Sequence, residues 1–293
     1  MKQRLLVTGA SGFLGWNLCQ VAAAQWDIWG TYNQRAIAIP GTRMVKVDVL
    51  DPEAVKTLFQ AVRPEAVIHL AALSTLHACQ TDPDASYRLN VQVPQQMADL
   101  CAEREIPLVF TSTDQVFDGQ QPPYRETDAV SPINRYGEHK ALAEEEILHI
   151  YPRAAVCRMP LMFGMAPPGT NNFLQGFLAT LRSGQEIKLF IDEIRTPVSG
   201  KTAAQGLLLA LSQVQGRLHL GGKERLSRYD FGQLMVEVLQ VSPARLIPCY
   251  QRDLPMPAPR PADVSLDSSQ AFSRGYSPPS TREELESLRE FYR

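Results

Sequence analysis

Thr8-Gly-Ala-Ser-Gly-Phe-Leu-Gly15 is the stretch on which the reading of this chain depends. It follows the apolar run Arg4–Thr8 and opens a segment, about 13–25, with helical periodicity. Gly9, Gly12 and Gly15 are spaced GxxGxxG, and the order strand, tight turn, helix is what gives that spacing meaning. Gly9 permits a sharp turn with positive φ. Gly12 lets backbone N–H groups approach a pyrophosphate at the helix N-terminus, where the dipole favours anions. Gly15 lets helix and strand pack closely.

Outward from that turn, short apolar runs alternate with helical patterns. Further candidate strands are Ile28–Tyr32, Met44–Val47, Ala66–Leu70, Leu108–Thr111 and Ala154–Arg158, with periodic segments at about 52–62, 84–104 and 134–150. Apolar strands alternating with helices predict an α/β fold: a Rossmann-type, doubly wound parallel sheet covered on both faces. After Pro160 the character changes. Met165-Ala-Pro-Pro-Gly-Thr170 reads as a loop. Helices are expected near 172–183, 200–213, 228–239 and 281–291, with short strands near 187–191 and 218–220. This predicts a dinucleotide-binding domain over 1–160 and a smaller C-terminal substrate lobe over 161–293, some of whose elements pack back on the first sheet.

The 293 residues are 44% apolar with a formal charge of −2, enough for a substantial core and no reason to expect nucleic acid or a membrane surface as a partner. Five scattered cysteines, never in CxxC spacing, argue against a disulfide framework or a zinc site, and no stretch is long and apolar enough to span a bilayer. A soluble cytoplasmic protein is expected. No metal site is expected either. The histidines lack ligand spacing, and Glu144-Glu-Glu146 reads as a solvated helix face.

The second strand ends at Thr31-Tyr-Asn-Gln-Arg35. An NAD site usually places an acid there for the ribose hydroxyls; none occurs. Asn33 and Arg35 stand at that strand end instead, and Arg35 suits a 2′-phosphate. NADPH is therefore the expected cofactor, with NADH the alternative.

Ser131-Pro-Ile-Asn-Arg-Tyr-Gly-Glu-His-Lys140 reads as a helix start, Ser131 capping and Pro132 at the first helical position. Tyr136 and Lys140 then share one helix face at i, i+4. A phenol with pKa near 10 needs help to exchange protons at pH 7; a shift of about 3 units is roughly 4 kcal/mol. Upstream, Thr111-Ser-Thr113 closes the run Leu108-Val-Phe110. Side chains alternate along a strand, so Thr111 and Thr113 share a face. Thr113 lies furthest toward the carboxyl end, where open α/β sheets bind ligands. Ser112 is expected to support the turn and Thr111 to line the cofactor.

Together these features resemble the extended short-chain dehydrogenase/reductases. Ser112-Thr-Asp-Gln-Val-Phe-Asp-Gly119, Pro123-Tyr-Arg-Glu-Thr-Asp128 and Ser131–Glu144 look like the dTDP-4-dehydrorhamnose reductase family. So do Gly216-Arg-Leu-His-Leu-Gly-Gly222, Ser227-Arg-Tyr-Asp-Phe231 and Arg260-Pro261 with Leu266-Asp-Ser268. The resemblance implies hydride transfer to a keto carbon, with Tyr136 the proton donor, Lys140 lowering its pKa and holding the nicotinamide ribose, and Thr113 binding the carbonyl oxygen. It implies cofactor contacts at Ser11, Phe13 and Leu14, at Asp48 and Val49, at Leu70, Ala71 and Ala72, and at Pro160 and Leu161, with Asn90 bracing the site. On the substrate side it points to Arg195 and Arg260 for a nucleotide-sugar diphosphate and to Asn171 and Asn172 for the sugar. Two positions depart from the family pattern: Gln115 stands where an aromatic is usual, and Asp263-Val264 where Asn-Ser is usual. Both are expected to face the substrate and to bear on which sugar is taken. The chain also resembles the non-catalytic, NADP-binding β subunit of methionine adenosyltransferase. That likeness and a sugar-nucleotide epimerase are the alternatives. A homodimer is one option for the assembly.

Overall fold

The computed structural model describes residues 2–167, 173–241 and 245–292. Strands β1 (Arg4–Thr8), β2 (Asp27–Tyr32), β3 (Thr42–Lys46), β4 (Ala66–His69), β5 (Leu108–Thr113) and β6 (Ala155–Met159) lie in the order 3-2-1-4-5-6. A seventh strand, Gly216–His219, pairs with β6, and every pairing in the sheet is parallel. Strand order reverses between β1 and β4, which opens a crevice at their carboxyl ends.

Both faces of the sheet are buried, as its near-continuous apolar strands require. One face packs on α1 (Phe13–Ala22) and α8 (Gly200–Gln213), through Leu14, Leu18, Ala203 and Leu207. The other packs on α2 (Pro52–Val62), α5 (Val93–Ala102) and α6 (Arg135–Ile150), through Val55, Phe59, Met97 and Ile147. A third core joins α7 (Phe173–Arg182), α9 (Arg228–Leu239) and α11 (Thr281–Leu288) around Phe177, Phe231 and Leu285. Among the described residues no helix is long and apolar enough to cross a membrane.

Four local expectations change. Strand β5 runs to Thr113, so all three hydroxyl residues lie on the strand, and Ser112 is opposite Arg158 and Thr113 opposite Met159. The segment expected as one helix over 84–104 is α4 (Pro83–Tyr87), a π turn (Arg88–Gln92) and α5. Pro94 has no N–H for the carbonyl four residues back, and the wider turn accommodates that. Arg245–Cys249 is a strand paired with Glu186–Phe190; its Pro248 is tolerated because the sheet has only these two strands. Glu144 is not on a solvated face. It is fully buried and binds Arg158 through three hydrogen bonds of 2.7–3.2 Å, with Arg217 Nε at 3.0 Å.

Candidate active site

The glycine turn closes over the crevice by contact as much as by conformation. Gly9 has φ +68°, and a Cβ there would lie 2.9 Å from Ala71 N. A Cβ on Gly15 would lie 2.3 Å from Gly9 O, so α1 and the turn touch backbone to backbone. Across the switch point Thr8 Oγ1 accepts from Leu70 N (3.1 Å) and Ala71 N (3.2 Å) and faces His69 Nδ1 at 2.7 Å. With both acceptor sites used, the Thr8 hydroxyl donates to Nδ1. His69 is neutral, since burial lowers its pKa to about 3. The pair thereby fixes the start of the 70–72 segment.

Two hollows follow. One of about 360 Å³ is lined by Ser11, Asn33, Arg35, Asp48, Val49 and Ala71, and Arg35 Nη2 donates to Ser11 O at 2.8 Å. The other, about 350 Å³, is lined by Phe13, Leu14, Gly15, Thr111, Thr113, Tyr136, Lys140 and Pro160. Gly9, Gly12, Leu70 and Ala72 wall both, so the two form one elongated crevice.

At its inner end three elements converge. Thr113 ends β5, and its Oγ1 accepts from Gln115 N at 3.2 Å and donates to Asp114 Oδ1 at 3.3 Å. Tyr136 and Lys140 occupy the first turns of α6, which Asn134 caps through Gly137 N at 2.9 Å. Close approach depends on Gly137: a Cβ there would lie 2.1 Å from Gln115 O. The Thr113 hydroxyl is near enough to the Tyr136 phenol to pull its pKa down, against burial. The Lys140 ammonium lies over the Phe110 ring, 3.9 Å from its centroid.

The charges differ from the expectation. Burial, and then the Asp114 carboxylate, hold the Tyr136 phenol well above its ordinary pKa, so it is protonated; Lys140 is not what dominates it. Burial pushes Lys140 down to about 7. Asp114 is itself raised, by burial ahead of the opposing pull of Arg195. A neutral phenol beside a threonine hydroxyl and an amine poised near neutrality is a proton-donating constellation.

A family model described as the RmlD substrate binding domain matches residues 3–292. The chain belongs to that family. A probable low-salt glycan biosynthesis reductase of Haloferax volcanii is 30% identical, over 96% of this chain and 96% of that protein. The β subunit of methionine adenosyltransferase 2 of Danio rerio is also 30% identical, over 95% of this chain and 87% of that one. A crystal structure of dTDP-4-dehydrorhamnose reductase from Bacillus anthracis, in complex with NADP, superposes with a TM-score of 0.87 at 23% identity, covering 98% of this chain and 99% of that chain. That likeness carries the fold.

Within this RmlD-family chain the other sequence candidates separate. Asn90 lies beneath the crevice, its amide binding both the N–H and the carbonyl of Leu73. Leu161 packs into the C-terminal core. Gln115 is buried, its Nε2 on Asp114 Oδ1 (3.4 Å) and its Oε1 receiving Asn134 Nδ2 (3.1 Å). Arg195 is 4% exposed and lies between Asp114 and Glu193, at 3.4 Å from each. Arg260 is 33% exposed and reaches Glu193 at 3.3 Å. Asp263 pairs with Arg225, and Val264 is in a small core with Phe117 and Tyr124. Asn171 and Asn172 lie outside the described residues. Ser112 does not hold the turn: its hydroxyl is buried without a hydrogen bond.

Sequence reasoning missed Asp114, Asn134, Gly137 and the crevice-lining Ser74, Met159 and Met162. The Ser-Thr-Asp triplet and the Tyr-Gly pair were visible as letters. Their roles rest on contacts between β5 and α6 that no local pattern encodes.

Proposed function

We propose that the protein is an NADPH-dependent reductase acting on the 4-keto group of a nucleotide-linked deoxysugar, like the dTDP-4-dehydrorhamnose reductases it resembles. The observation that carries this reading is the convergence of Thr113, Tyr136 and Lys140 at the inner end of a crevice walled by the glycine turn. The crevice suits a dinucleotide: Gly9 and Gly12 wall both of its hollows without side chains, and Arg35 stands where an acid would select against a 2′-phosphate. When bound, the reduced nicotinamide supplies the hydride. Thr113 Oγ1 orients the keto oxygen by hydrogen bonding. Tyr136 Oη, kept protonated by its surroundings, gives its proton to the oxygen as negative charge develops there. Lys140, which lines the same crevice, is assigned to the ribose end of the cofactor. Arg260, partly exposed and set in an arginine cluster around Glu193, is assigned to the anionic end of the substrate.

Tyr136→Phe tests this directly. NADPH oxidation with nucleotide 4-keto sugars should fall by about 10²–10⁴-fold, with NADPH affinity nearly unchanged. Retained turnover would sink the mechanism. The similarity to the methionine adenosyltransferase β subunit supports a second reading, a non-catalytic NADP-binding regulator. Co-purification with a synthetase, together with no NADPH oxidation by any keto sugar, would favour it.

A further inference from the structure

The resemblance points Arg195 at a substrate diphosphate, but the fold encloses it. Among the described residues it lines neither hollow of the crevice, and its side chain is 4% exposed. It extends from the two-residue strand Ile194–Arg195, and its Nη1 donates to Ile194 O at 2.9 Å. Nη2 lies 3.4 Å from Glu193 Oε1, and Nε lies 3.4 Å from Asp114 Oδ2. Glu193 does not depend on it. Arg228 Nε donates to Oε1 at 2.8 Å, and Arg260 Nη1 donates to Oε2 at 3.3 Å. Three guanidiniums around one carboxylate leave positive charge to spare, and the carboxylate placed to take it is Asp114.

Asp114 follows Thr113 directly and is 3% exposed. Its two oxygens are unequal. Oδ1 receives the Thr113 hydroxyl at 3.3 Å and Gln115 Nε2 at 3.4 Å, whereas Oδ2 accepts no hydrogen bond and faces Arg195. Arg195 from its strand, Arg228 from α9 and the Tyr136 phenol from α6 are the ionisable groups that act on this carboxyl or feel its charge. The Thr113 proton cannot serve Asp114 and a keto oxygen at once. A carboxylate holds a hydroxyl roughly twice as strongly as a neutral acceptor does, so an unopposed Asp114 would keep it. A guanidinium beside Oδ2 draws charge away from Oδ1. The Thr113–Asp114 contact is long for O–H···O, where roughly 2.5–3.0 Å is usual.

We propose that Arg195 is a positioning residue for the reduction: by opposing Asp114 it frees the Thr113 hydroxyl to turn from Oδ1 to the keto oxygen, and it does not touch substrate. This rests on the reductase reading above. No bond to hydrogen breaks in that turn. The hydride still comes from NADPH and the proton from Tyr136 Oη, converting C=O to CH–OH.

Arg195→Met leaves Asp114 unopposed. With NADPH and a nucleotide 4-keto sugar, kcat should fall by about 10–10²-fold, no further than loss of the Thr113 hydroxyl itself would take it. KM for the sugar and NADPH affinity should be unchanged. The loss should also depend on pH. Burial already raises the Asp114 pKa against the pull of Arg195, and without that pull it rises further. Below it the carboxyl is neutral and releases Thr113; above it the charge holds the hydroxyl. The variant's kcat should therefore fall as pH rises through that pKa, a limb absent while Arg195 is in place. Adding Asp114→Asn should remove the limb and restore most of kcat, since an amide oxygen there binds the hydroxyl without charge. Should the methionine variant fail to fold, Arg195→Lys keeps a charge but cannot span Asp114 and Glu193 together, and should show a smaller loss of the same kind. A raised KM with kcat unchanged overturns the proposal, because it puts the arginine on the substrate. So does a loss of kcat that is flat in pH and that Asp114→Asn does not relieve, which marks a structural role. Kinetics equal to wild type overturn it as well. All three leave the reductase reading standing, whereas a wild type that oxidises NADPH with no keto sugar ends both.

Discussion

Lys140 is kept in a place that costs the fold something. Its ordinary pKa of 10.5 is lowered to about 7 by burial. Between those values the unfolded chain binds a proton that the folded chain does not, so stability rises as pH rises from 7 toward 10.5. The cost, on the order of 5 kcal/mol from a shift of that size, is fully present below pH 7. Lys140→Met should therefore raise the melting temperature at pH 7 and flatten its dependence between pH 7 and 10 while abolishing turnover, which thermal unfolding across pH would read. If Thr113 binds the keto oxygen as proposed, Thr113→Val should lower kcat by about 10²-fold. Steady-state kinetics within threefold of wild type would mean that the hydroxyl does not touch substrate. That Thr113, Tyr136 and Lys140 line one crevice was legible from residue types and spacing, because helical i, i+4 placement and strand alternation are local rules. The phenol's raised pKa was not legible: it comes from burial and from Asp114, and both depend on how β5 meets α6.

That meeting is an affair of whole elements. Helix α6 rests its first turn on the backbone after Thr113, and Gly137 is the point of contact. Gly137→Ala would push the helix off by the bulk of one methyl group, at about 1–3 kcal/mol. It would also carry Tyr136 away from Thr113, so kcat should fall more than stability does; denaturant titration and kinetics on one preparation compare the two. The regular elements were largely readable from apolar periodicity. Helices α2, α8 and α9 begin and end where their patterns do, with Asp51, Ser199 and Ser227 as N-caps. Legibility failed where one residue overrode the pattern. Pro94 left the π turn, and Pro248 hid a strand that survives only as one of a pair.

Across the molecule, charge is placed with little regard for sequence distance. Glu144, the first of a run of three glutamates, is buried against Arg158 and Arg217 from two different strands. Nothing within α6 signals this, and the run reads as solvated until the sheet is assembled. Glu144→Gln would leave Arg158 buried without its countercharge, at about 3–5 kcal/mol, with a corresponding fall in the chemical-denaturation midpoint. Near-wild-type stability would mean that Arg217 and the neighbouring His219 do not need the carboxylate.

The strand Gly216–His219, which completes the sheet beside β6, also sets a timetable. During synthesis β6 emerges first, and residues 160–215 must follow before its partner exists. At about 5–20 residues per second that is a wait of roughly 3–10 s with one edge of a parallel sheet open. Over that interval the nascent chain offers a template for pairing with other chains. A ribosome-stalled fragment ending near residue 200 should accordingly need a chaperone to stay soluble, and one ending beyond 240 should not.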